Sequence, residues 1–394
     1  MEVVVTGISL ISSLGKSLET SWENLIFDRS GIRLQQPFPE LEARPLALVD
    51  EQPTNAIELT RLAVAAALKD SGLESPLPDC GVVIGSSRSQ QAVWEELIKS
   101  KVESQKSKVV STPDSCTGRF LNPPLPTPEF LEILPNAIAS IAARQIGATG
   151  VVLSPMAACA TGIWAIAQGS LLIKTGQCHR VIVGAVEAPI TPLTLAGFGQ
   201  MGALATTGAY PFDRYREGLV LGEGASVLVL ESARAAQQRS AKVYGRVLGF
   251  SLTNDAFHAV QPESTGKSAI VAIKQCLERG NLTPQDIDYI HAHGTATQLN
   301  DKREAQIIQY LFPHGVPVSS TKGATGHTLG ASGAIGTAFC LMALRHQILP
   351  PCTGLRSPQF DLDLIVTSRK AALRHVLCLS FGFGGQNAVL VLGK

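Results

Sequence analysis

The chain has 394 residues, of which 45% are hydrophobic and 16% charged, and its formal net charge is +1. This composition predicts a well-packed globular protein, and the near-zero net charge gives no reason to expect binding to nucleic acid or to an anionic membrane. Its 8 cysteines are scattered without a CxxC pair, which disfavours a disulfide framework and favours a reducing compartment. We therefore expect a cytoplasmic protein.

The N-terminal stretch MEVVVTGISLISSLG is apolar, but it carries Glu2 and has no cationic start. It predicts a strand followed by a turn rather than a signal peptide. No apolar run reaches the roughly 18–20 residues of a membrane span. Further along, apolar runs alternate with helical patterns, as is typical of an α/β protein whose sheets are covered on both faces.

Four segments of the first half have counterparts, in the same order, in the second half. The segments TRLAVAAALKDSGL, CGVVIGSS, MAACATGIWAIAQGSLLI and GASVLVLES are echoed by SAIVAIKQCLERGNL, YIHAHGT, GHTLGASGAIGTAFCLMAL and QNAVLVLGK. A chance likeness between alanine-rich helices is the alternative, and the shared order disfavours it. The pattern predicts two duplicated α/β halves, 1–235 and 236–394, joined through the polar segment ARAAQQRSAK.

Residues 94–134 depart from this alternation. KSKVESQKSKVV and then LNPPLPTPEF predict an exposed helix end followed by an irregular, proline-rich excursion. The lysines of this segment form either a solvated surface run, which is the commoner case, or a landing patch for an acidic partner; they are Lys99, Lys101, Lys106 and Lys108.

The segment PMAACATGIWAIAQGSLLI places Cys159 among small residues just before an apolar helix. At a helix N-terminus, unpaired N–H groups and the helix dipole stabilise a thiolate, which suits a nucleophile. A buried core thiol is the commoner role of a cysteine in this setting. Taken alone, the segment favours the core thiol.

The segment HAHGTATQLNDKREA follows an apolar strand, so His293 is expected at the carboxyl end of that strand, where α/β sites are built. Thr295 and Thr297 present hydroxyls on one extended face. Asp301 and Glu304 share one side of a helix expected to begin at Asp301. The neighbouring His291 suggests a metal site, but no further ligands lie at compatible spacing, so metal is disfavoured.

Two glycine-rich segments complete the candidate site. In SSTKGATGHTLGASG, Lys322 disfavours a charged His327 ring, and the loop lacks the order of a phosphate-binding GxxxxGK[ST] motif. In SFGFGGQNAVLVL, exposed backbone N–H groups are suited to binding an oxyanion. GFGQMG (197–202) matches a dinucleotide motif but lacks the preceding strand, so it carries little weight. A thiol, two neutral imidazoles and an oxyanion site together favour acyl transfer followed by carbon–carbon bond formation.

Four motifs, ACATG, HGTATQLND, TKGATGH and SFGFGG, resemble those of the β-ketoacyl-acyl carrier protein synthases, most closely the elongating enzymes with a Cys-His-His site. The likeness covers nearly the whole chain and is weakest over 85–150. It implies a thiolase-like α/β fold, with two duplicated halves, each containing a mixed five-stranded sheet, in a five-layered αβαβα arrangement. It also implies a homodimer, acyl carrier protein as partner, and neither a metal nor an organic cofactor.

The resemblance implies a role for each matched residue. Cys159 would carry the acyl chain, and His293 and His327 would stabilise the enolate formed when malonyl-carrier loses carbon dioxide. Backbone N–H groups of Cys159 and Phe383 would form the oxyanion hole, and Phe383 would gate the site. Lys322 would tune and orient His327. Substrate contacts are implied for Thr295, Thr297, Glu304 and Gly384, and Glu304 would also support the local network.

Departures from the family pattern accompany the likeness. The segment before Cys159 is irregular, GALATTGAYPFD is short, the region around 50–60 lacks a basic helix that commonly meets the carrier, and Leu379 replaces an asparagine. Alternatives are a specialised lipid or polyketide ketosynthase and a catalytically silent acyl-binding partner of the same fold. A thiolase using coenzyme A is disfavoured. Thiolases use a second cysteine in a glycine-rich turn near the C-terminus, whereas SFGFGG contains no cysteine and Cys378 lies before it.

Overall fold

The computed structural model describes residues 1–109 and 133–394, with side chains described for 1–100 and 133–394. Within these ranges the α-helices are α1 (Leu18–Ile26), α2 (Ala56–Ser71), α3 (Gln91–Val109), α4 (Ala137–Ile146), α5 (Thr161–Lys174), α6 (Pro192–Gln200), α7 (Ala233–Gln238), α8 (Lys267–Arg279), α9 (Gln298–Leu311), α10 (Lys322–Thr325) and α11 (Ser332–His346). Short 3-10 turns span Pro284–Asp286, Leu329–Ala331 and Phe383–Gly385.

The strands of the same ranges are β1 (Val3–Ser12), β2 (Arg33–Gln35), β3 (Arg44–Leu46), β4 (Gly81–Gly85), β5 (Val152–Leu153), β6 (Arg180–Glu187), β7 (Gly224–Ser232), β8 (Gly245–Asn254), β9 (Tyr289–His291), β10 (Pro317–Ser319), β11 (Ile348–Leu349), β12 (Asp363–Leu364), β13 (Arg369–Lys370), β14 (His375–Gly382) and β15 (Gln386–Gly393). Two of the long strands are buried along their whole length: all residues of β1 and β7 are buried. Such strands require cover on both faces.

Two sets of strands repeat the same topology. The first runs β1-β7-β6-β4-β5 and the second β8-β15-β14-β9-β10. In each set the first two pairings are antiparallel and the last two are parallel. The duplication predicted from the four sequence echoes is therefore confirmed, because every echoed strand occupies the equivalent position in its set.

The two sets are joined edge to edge. β1 pairs with β8 through Val4 opposite Arg246 and Val5 opposite Gly245, and β12 extends the second set beyond β10. The described residues thus form one continuous 11-stranded sheet rather than two separate five-stranded sheets. α7 connects β7 to β8 at this junction, and the exact division at residue 235 stays a prediction.

Helices divide the molecule into five layers. α2 and α4 cover the outer face of the first set, and α8 and α9 cover the outer face of the second. α5 and α11 lie between the sets and contact strands of both. The expected αβαβα arrangement is confirmed, and it buries the N-termini of the two central helices in the middle of the molecule.

Glycines allow the two central helices to meet closely near their N-termini. A Cβ atom on Gly162 would lie 2.4 Å from the backbone nitrogen of Ala334, and one on Gly333 would lie 3.0 Å from the backbone nitrogen of Ile163. Each glycine is the second residue of its helix. This crossing brings the residues just before α5 and α11 into one region, where Cys159 and His327 lie.

Local sequence signals account for several element boundaries. Asn55 caps α2 by accepting the N–H of Ile57 (2.7 Å), and Gly72 ends it with a φ of 67°. α9 begins at Gln298, three residues before the predicted start at Asp301, because Asp301 instead accepts the N–H of Phe212 (2.7 Å).

The charged and proline-rich segment is described only in part. α3 covers 91–109 and Lys99 is exposed, as predicted, whereas the side chains of Lys101, Lys106 and Lys108 and the proline-rich stretch 121–130 lie outside the described residues. None of the helices in the described ranges has the length and apolarity needed to cross a bilayer. The cytoplasmic location stays a prediction.

Candidate active site

Cys159 lies in a tight turn that leads into α5. The preceding Ala158 has a φ of 47°, a left-handed conformation that is strained for a residue other than glycine. Thr161 holds the turn, because its hydroxyl accepts the N–H of Ala157 (2.9 Å) and donates to the carbonyl of Ala158 (2.7 Å). The thiol therefore lies at the N-terminus of a 14-residue helix, as the sequence predicted.

The ionisation of the Cys159 thiol differs from the expectation. Burial raises its pKa from 9.0 to about 11, although the charge of Lys322 and a hydrogen bond from the Phe383 backbone lower it. This rise corresponds to about 3 kcal/mol, whereas a helix N-terminus contributes about 0.3–1 kcal/mol in favour of the anion. The free thiol is therefore protonated at neutral pH, and the expectation of a stabilised thiolate is wrong.

The two histidines come from different elements of the second half. His293 follows β9, where the carboxylate of Glu304 accepts the backbone N–H groups of His293 (2.6 Å) and Gly294 (2.7 Å). His327 follows α10. The ring centroids of the two histidines lie 5.4 Å apart, and the ring planes meet at 83°. Two separate segments of the chain thus present their imidazoles to one place.

Lys322 contacts His293 rather than His327. Its ammonium group donates to the backbone carbonyl of His293 and lies 3.4 Å from Nδ1 of the same ring. Nδ1 of His327 instead lies 2.9 Å from the hydroxyl oxygen of Ser332. The prediction that Lys322 orients His327 is wrong in this respect, because the short helix that begins at Lys322 directs the side chain towards the end of β9.

Both imidazoles are neutral at physiological pH. Burial is the main cause that holds the pKa values of His293 and His327 well below 6.5, and the charge of Lys322 adds to it. Because Lys322 donates towards Nδ1 of His293, and Ser332 offers its hydroxyl to Nδ1 of His327, the ring protons are assigned to Nε2. The two rings then offer two N–H donors.

Glu304 is a buried carboxyl behind the histidines. Burial raises its pKa and the two backbone N–H groups that it accepts lower it, while the same burial lowers the pKa of Lys322. Its contacts hold the backbone at His293 in place. Glu304 does not line the cavity, so the structure brings it to the site as a support rather than as a substrate contact.

A glycine-rich turn connects β14 to β15 beside the thiol. Gly384 and Gly385 have φ values of 75° and 74°, a region that favours glycine. The hydroxyl of Ser380 on β14 donates to the carbonyl of Cys159 (2.9 Å), and the backbone N–H of Phe383 lowers the pKa of the thiol. The turn therefore places a backbone donor beside the Cys159 thiol.

Gly384 itself does not reach the cavity. Its N–H donates to the carbonyl of Ala259 (2.8 Å), and its carbonyl accepts the side-chain amide of Asn254 (2.8 Å). Its neighbours Phe383 and Gly385 line the cavity instead. Gly384 thus anchors the turn to the loop after β8 and makes no direct contribution to the cavity wall.

One cavity of about 280 Å³ connects the candidate groups. It is lined by Cys159, His293, His327, Thr295, Thr297 and Phe383. The hydroxyl oxygens of the two threonines lie 2.9 Å apart, as expected for side chains on one extended face. Lys322 and Leu379 are buried outside this wall, and Leu379 packs in the second-half core.

The cavity also has lining residues for which the sequence indicated no role at this site, among them Phe198, Met201, Leu219, Asp255, Arg303 and Asn387. Asp255 forms a buried ion pair with Arg303 (3.1 Å) and accepts the side-chain amide of Asn387 (2.8 Å). No sequence motif links these positions to one another. Phe198 and Met201 belong to GFGQMG, which spans the end of α6 and the turn after it, so that segment is not a dinucleotide motif.

Two family models match the chain: the N-terminal domain of β-ketoacyl synthases over residues 52–236 and their C-terminal domain over 244–356. The chain is 33% identical to 3-oxoacyl-[acyl-carrier-protein] synthase 2 of Mycobacterium tuberculosis, over 100% of this chain and 97% of the relative. The chain belongs to the β-ketoacyl synthase family. It is also 32% identical to the synthase 2 of Vibrio harveyi, over 100% of this chain and 98% of that one.

Solved structures agree with this membership in the β-ketoacyl synthase family. A type II polyketide ketosynthase, in complex with its acyl-carrier protein and bound to a hexaketide, matches with a TM-score of 0.89 and 25% identity, covering 100% of this chain and 99% of that one. The ishigamide ketosynthase/chain length factor matches with a TM-score of 0.89 and 26% identity over the same shares. These neighbours confirm the thiolase-like fold of the chain.

Proposed function

We propose that this chain is a condensing acyltransferase, a β-ketoacyl-acyl carrier protein synthase. It extends an acyl chain by two carbons, using malonyl carried on acyl carrier protein. The observation that carries the proposal is the meeting of Cys159, His293 and His327 in one cavity, with the two rings 5.4 Å apart. A thiol beside two neutral N–H donors has the chemistry for both halves of a decarboxylative condensation.

In the first step, Cys159 accepts the acyl group. Its sulfur forms a bond to the acyl carbon, the thioester bond to the carrier breaks, and the thiol proton passes to the departing carrier sulfur. The N–H groups of Cys159 and Phe383 stabilise the negative charge that develops on the acyl oxygen. Because the free thiol is protonated, proton removal accompanies this attack.

In the second step, malonyl-carrier loses carbon dioxide. The carbon–carbon bond to the carboxylate breaks, and its electron pair forms the enolate of the acetyl thioester. His293 and His327 donate their Nε2 protons in hydrogen bonds to the enolate oxygen. Neutral rings suit this role, because a charged ring would form an ion pair with the malonyl carboxylate and hold that carboxylate in place.

In the third step, the enolate carbon attacks the thioester on Cys159. A carbon–carbon bond forms, the bond from carbon to the Cys159 sulfur breaks, and the released thiolate takes up one proton. The product is a 3-ketoacyl-carrier two carbons longer than the starting acyl group. Lys322 and Glu304 position His293, Ser332 positions His327, and Thr295 and Thr297 bind the pantetheine arm.

The names of the relatives support acyl carrier protein as the partner. Fatty acid elongation as the process, a homodimer and a cytoplasmic setting complete the proposal. The second candidate is a polyketide ketosynthase, which the likeness to a ketosynthase bound to a hexaketide favours. A catalytically silent partner subunit is disfavoured, because Cys159, His293 and His327 are all present in one cavity.

Replacement of Cys159 tests the proposal directly. Purified chain given acyl- and malonyl-carrier is expected to release carbon dioxide and form a 3-ketoacyl product, and Cys159→Ala is expected to abolish that product. Mass spectrometry after exposure to acyl-carrier is expected to find the adduct on Cys159 and not on Cys340 or Cys378.

Cys276 provides a matched control for this substitution, because it is a fully buried thiol in α8 within the second-half core. Cys276→Ala is expected to keep the condensation activity. Condensation that survives Cys159→Ala would show that another group is the nucleophile.

A further inference from the structure

Arg88 lies beside the cavity and takes no part in the mechanism proposed above. It follows β4, in the turn before α3, and its side chain is half-buried. Its guanidinium carbon lies 5.8 Å from the ring centroid of Phe198. Phe198 is 2% exposed and lines the cavity together with Cys159. A single aromatic ring thus connects the guanidinium to the cavity wall.

The Arg88 side chain has no hydrogen bond or ion pair within the part of the chain that the structure describes. Glu187 is a buried acid whose pKa burial raises to about 6, although its hydrogen bonds and the charge of Arg88 limit the rise, and its carboxylate is engaged elsewhere. It accepts the backbone N–H of Ser87 and the hydroxyl of Ser86 (3.2 Å). Because arginine carries five N–H donors, a half-buried guanidinium without an acceptor is unfavourable.

Phe198, the ring beside Arg88, belongs to a cluster of apolar side chains. Cys159 and Phe198 pack with leucine and isoleucine side chains, among them Ile190, Leu195 and Leu219. A saturated acyl chain would require only such a wall and would leave the guanidinium facing hydrocarbon. The charges of Lys322 and Arg88 both lower the pKa of Cys159, but the ammonium group of Lys322 is already engaged by His293.

Resting on the proposed function, we propose that Arg88 binds an oxygen acceptor on the acyl group that Cys159 carries. The chain then selects acyl groups with a carbonyl or carboxylate oxygen several carbons from the thioester over saturated groups of the same length. The planar fork of a guanidinium donates two parallel hydrogen bonds to a carboxylate or a single one to a ketone. An acyl chain that extends from Cys159 along Phe198 brings such an oxygen to Arg88.

The test uses three six-carbon acyl groups as pantetheine thioesters: hexanoyl, 5-oxohexanoyl and adipoyl. Acylation of Cys159 is followed by intact-protein mass, and kcat/KM is measured for each thioester with malonyl-carrier. We expect wild type to prefer at least one oxygenated group over hexanoyl by about tenfold or more. The preferred member of the pair identifies a carbonyl or a carboxylate as the acceptor.

Arg88→Met removes the guanidinium and keeps an unbranched apolar stem. We expect it to reduce the preference for the oxygenated group by about 10- to 100-fold and to leave hexanoyl unchanged or faster. Arg279→Met is the matched control, because the Arg279 guanidinium lies 5.9 Å from the Phe250 ring in the same kind of contact, and Phe250, unlike Phe198, does not line the cavity. The control is expected to keep the wild-type preference.

Equal use of the three thioesters by wild type, or an unchanged preference in Arg88→Met, overturns the proposal. If Arg88→Met has half the particle mass of wild type and keeps the wild-type preference, Arg88 is a contact between copies of the chain, and this outcome also overturns the proposal. Failure of wild type to accept any thioester rejects the proposed function itself. Arg88→Gln replaces the methionine variant if circular dichroism shows that the latter does not fold.

Discussion

At the scale of single residues, burial and nearby positive charge act in opposite directions on the pKa of the Cys159 thiol. Burial raises the pKa of the thiol, and the Lys322 ammonium and the Phe383 N–H limit the rise to about 11. A protonated thiol is a weak nucleophile, so Cys159 of the free protein is expected to react slowly at neutral pH. The same burial keeps His293 and His327 neutral, which is the state that donates to an enolate.

The ionisation of Cys159 predicts a pH-dependent alkylation. Since its pKa is about 11, the thiolate fraction and the rate of alkylation by iodoacetamide are expected to rise about tenfold for each pH unit from 7 to 10. Lys322→Met removes a cation that lowers this pKa, so at pH 9 the rate is expected to fall by roughly 3- to 10-fold. Mass spectrometry of the modified peptide measures the rate at Cys159.

Lys302 supplies the matched control for the charge. It is exposed on α9, so Lys302→Met removes one positive charge outside the site and is expected to leave the alkylation rate unchanged. A rate that is already constant between pH 7 and 8 would mean that the thiol is ionised in the free protein.

At the scale of elements, the crossing of α5 and α11 determines where the nucleophile and one histidine meet. Gly162 and Gly333 hold equivalent positions in the two helices and remove the side chains that would separate them. Cys159 lies three residues before the first of these glycines. The spacing of the two helices therefore controls the geometry of the site.

Gly162→Ala is expected to separate the two helices. Its Cβ would lie 2.4 Å from the backbone nitrogen of Ala334, which is part of a helix and not a flexible atom that can move aside. We expect a loss of about 1–3 kcal/mol in the free energy of unfolding and a fall in condensation activity. Urea denaturation and the condensation assay measure the two effects.

Gly197→Ala is the control for this substitution. Gly197 lies in α6 and is exposed, and a Cβ atom added to it would have no neighbour within 4 Å. Alanine there is expected to raise the free energy of unfolding by about 0.5–1 kcal/mol. Similar losses in both variants would mean that close packing of α5 on α11 is not the cause.

At the scale of the whole molecule, the sheet ends at β5 with an apolar edge. Within the described residues β5 pairs only with β4, and its two side chains, Val152 and Leu153, are 39% and 37% exposed. Met156 nearby is 55% exposed. An open edge strand with apolar side chains is suited to pairing with another chain. The edge is therefore the surface where we expect the homodimer to form.

Charges on this edge are expected to separate the dimer. Light scattering should give twice the mass of one chain for wild type and the mass of one chain for Val152→Lys combined with Leu153→Lys, since two lysines oppose strand pairing. Val366→Lys is the control, because Val366 is 44% exposed near the opposite edge strand β12. A wild-type monomer, or a dimer that survives both lysines, would contradict this interface.

Much of the fold was predictable from the sequence because the chain repeats itself. Strand and helix periodicity depend on neighbouring residues, and the four echoes predicted which elements are equivalent. The same local patterns located Cys159 before a helix and His293 after a strand. The continuous sheet through β1 and β8 was not predictable, because Val4 and Arg246 pair across most of the length of the chain.

Local patterns along the chain predicted the main strands and helices, their duplication and the residue types of the site. The contacts of the folded chain were needed to show that Lys322 contacts His293, that burial raises the pKa of Cys159, and that Arg88 lies beside Phe198 without an ion pair among the described residues. Periodicity and helix-capping signals act over a few residues. Desolvation and contacts between charges depend instead on every segment that the folded chain brings to one place.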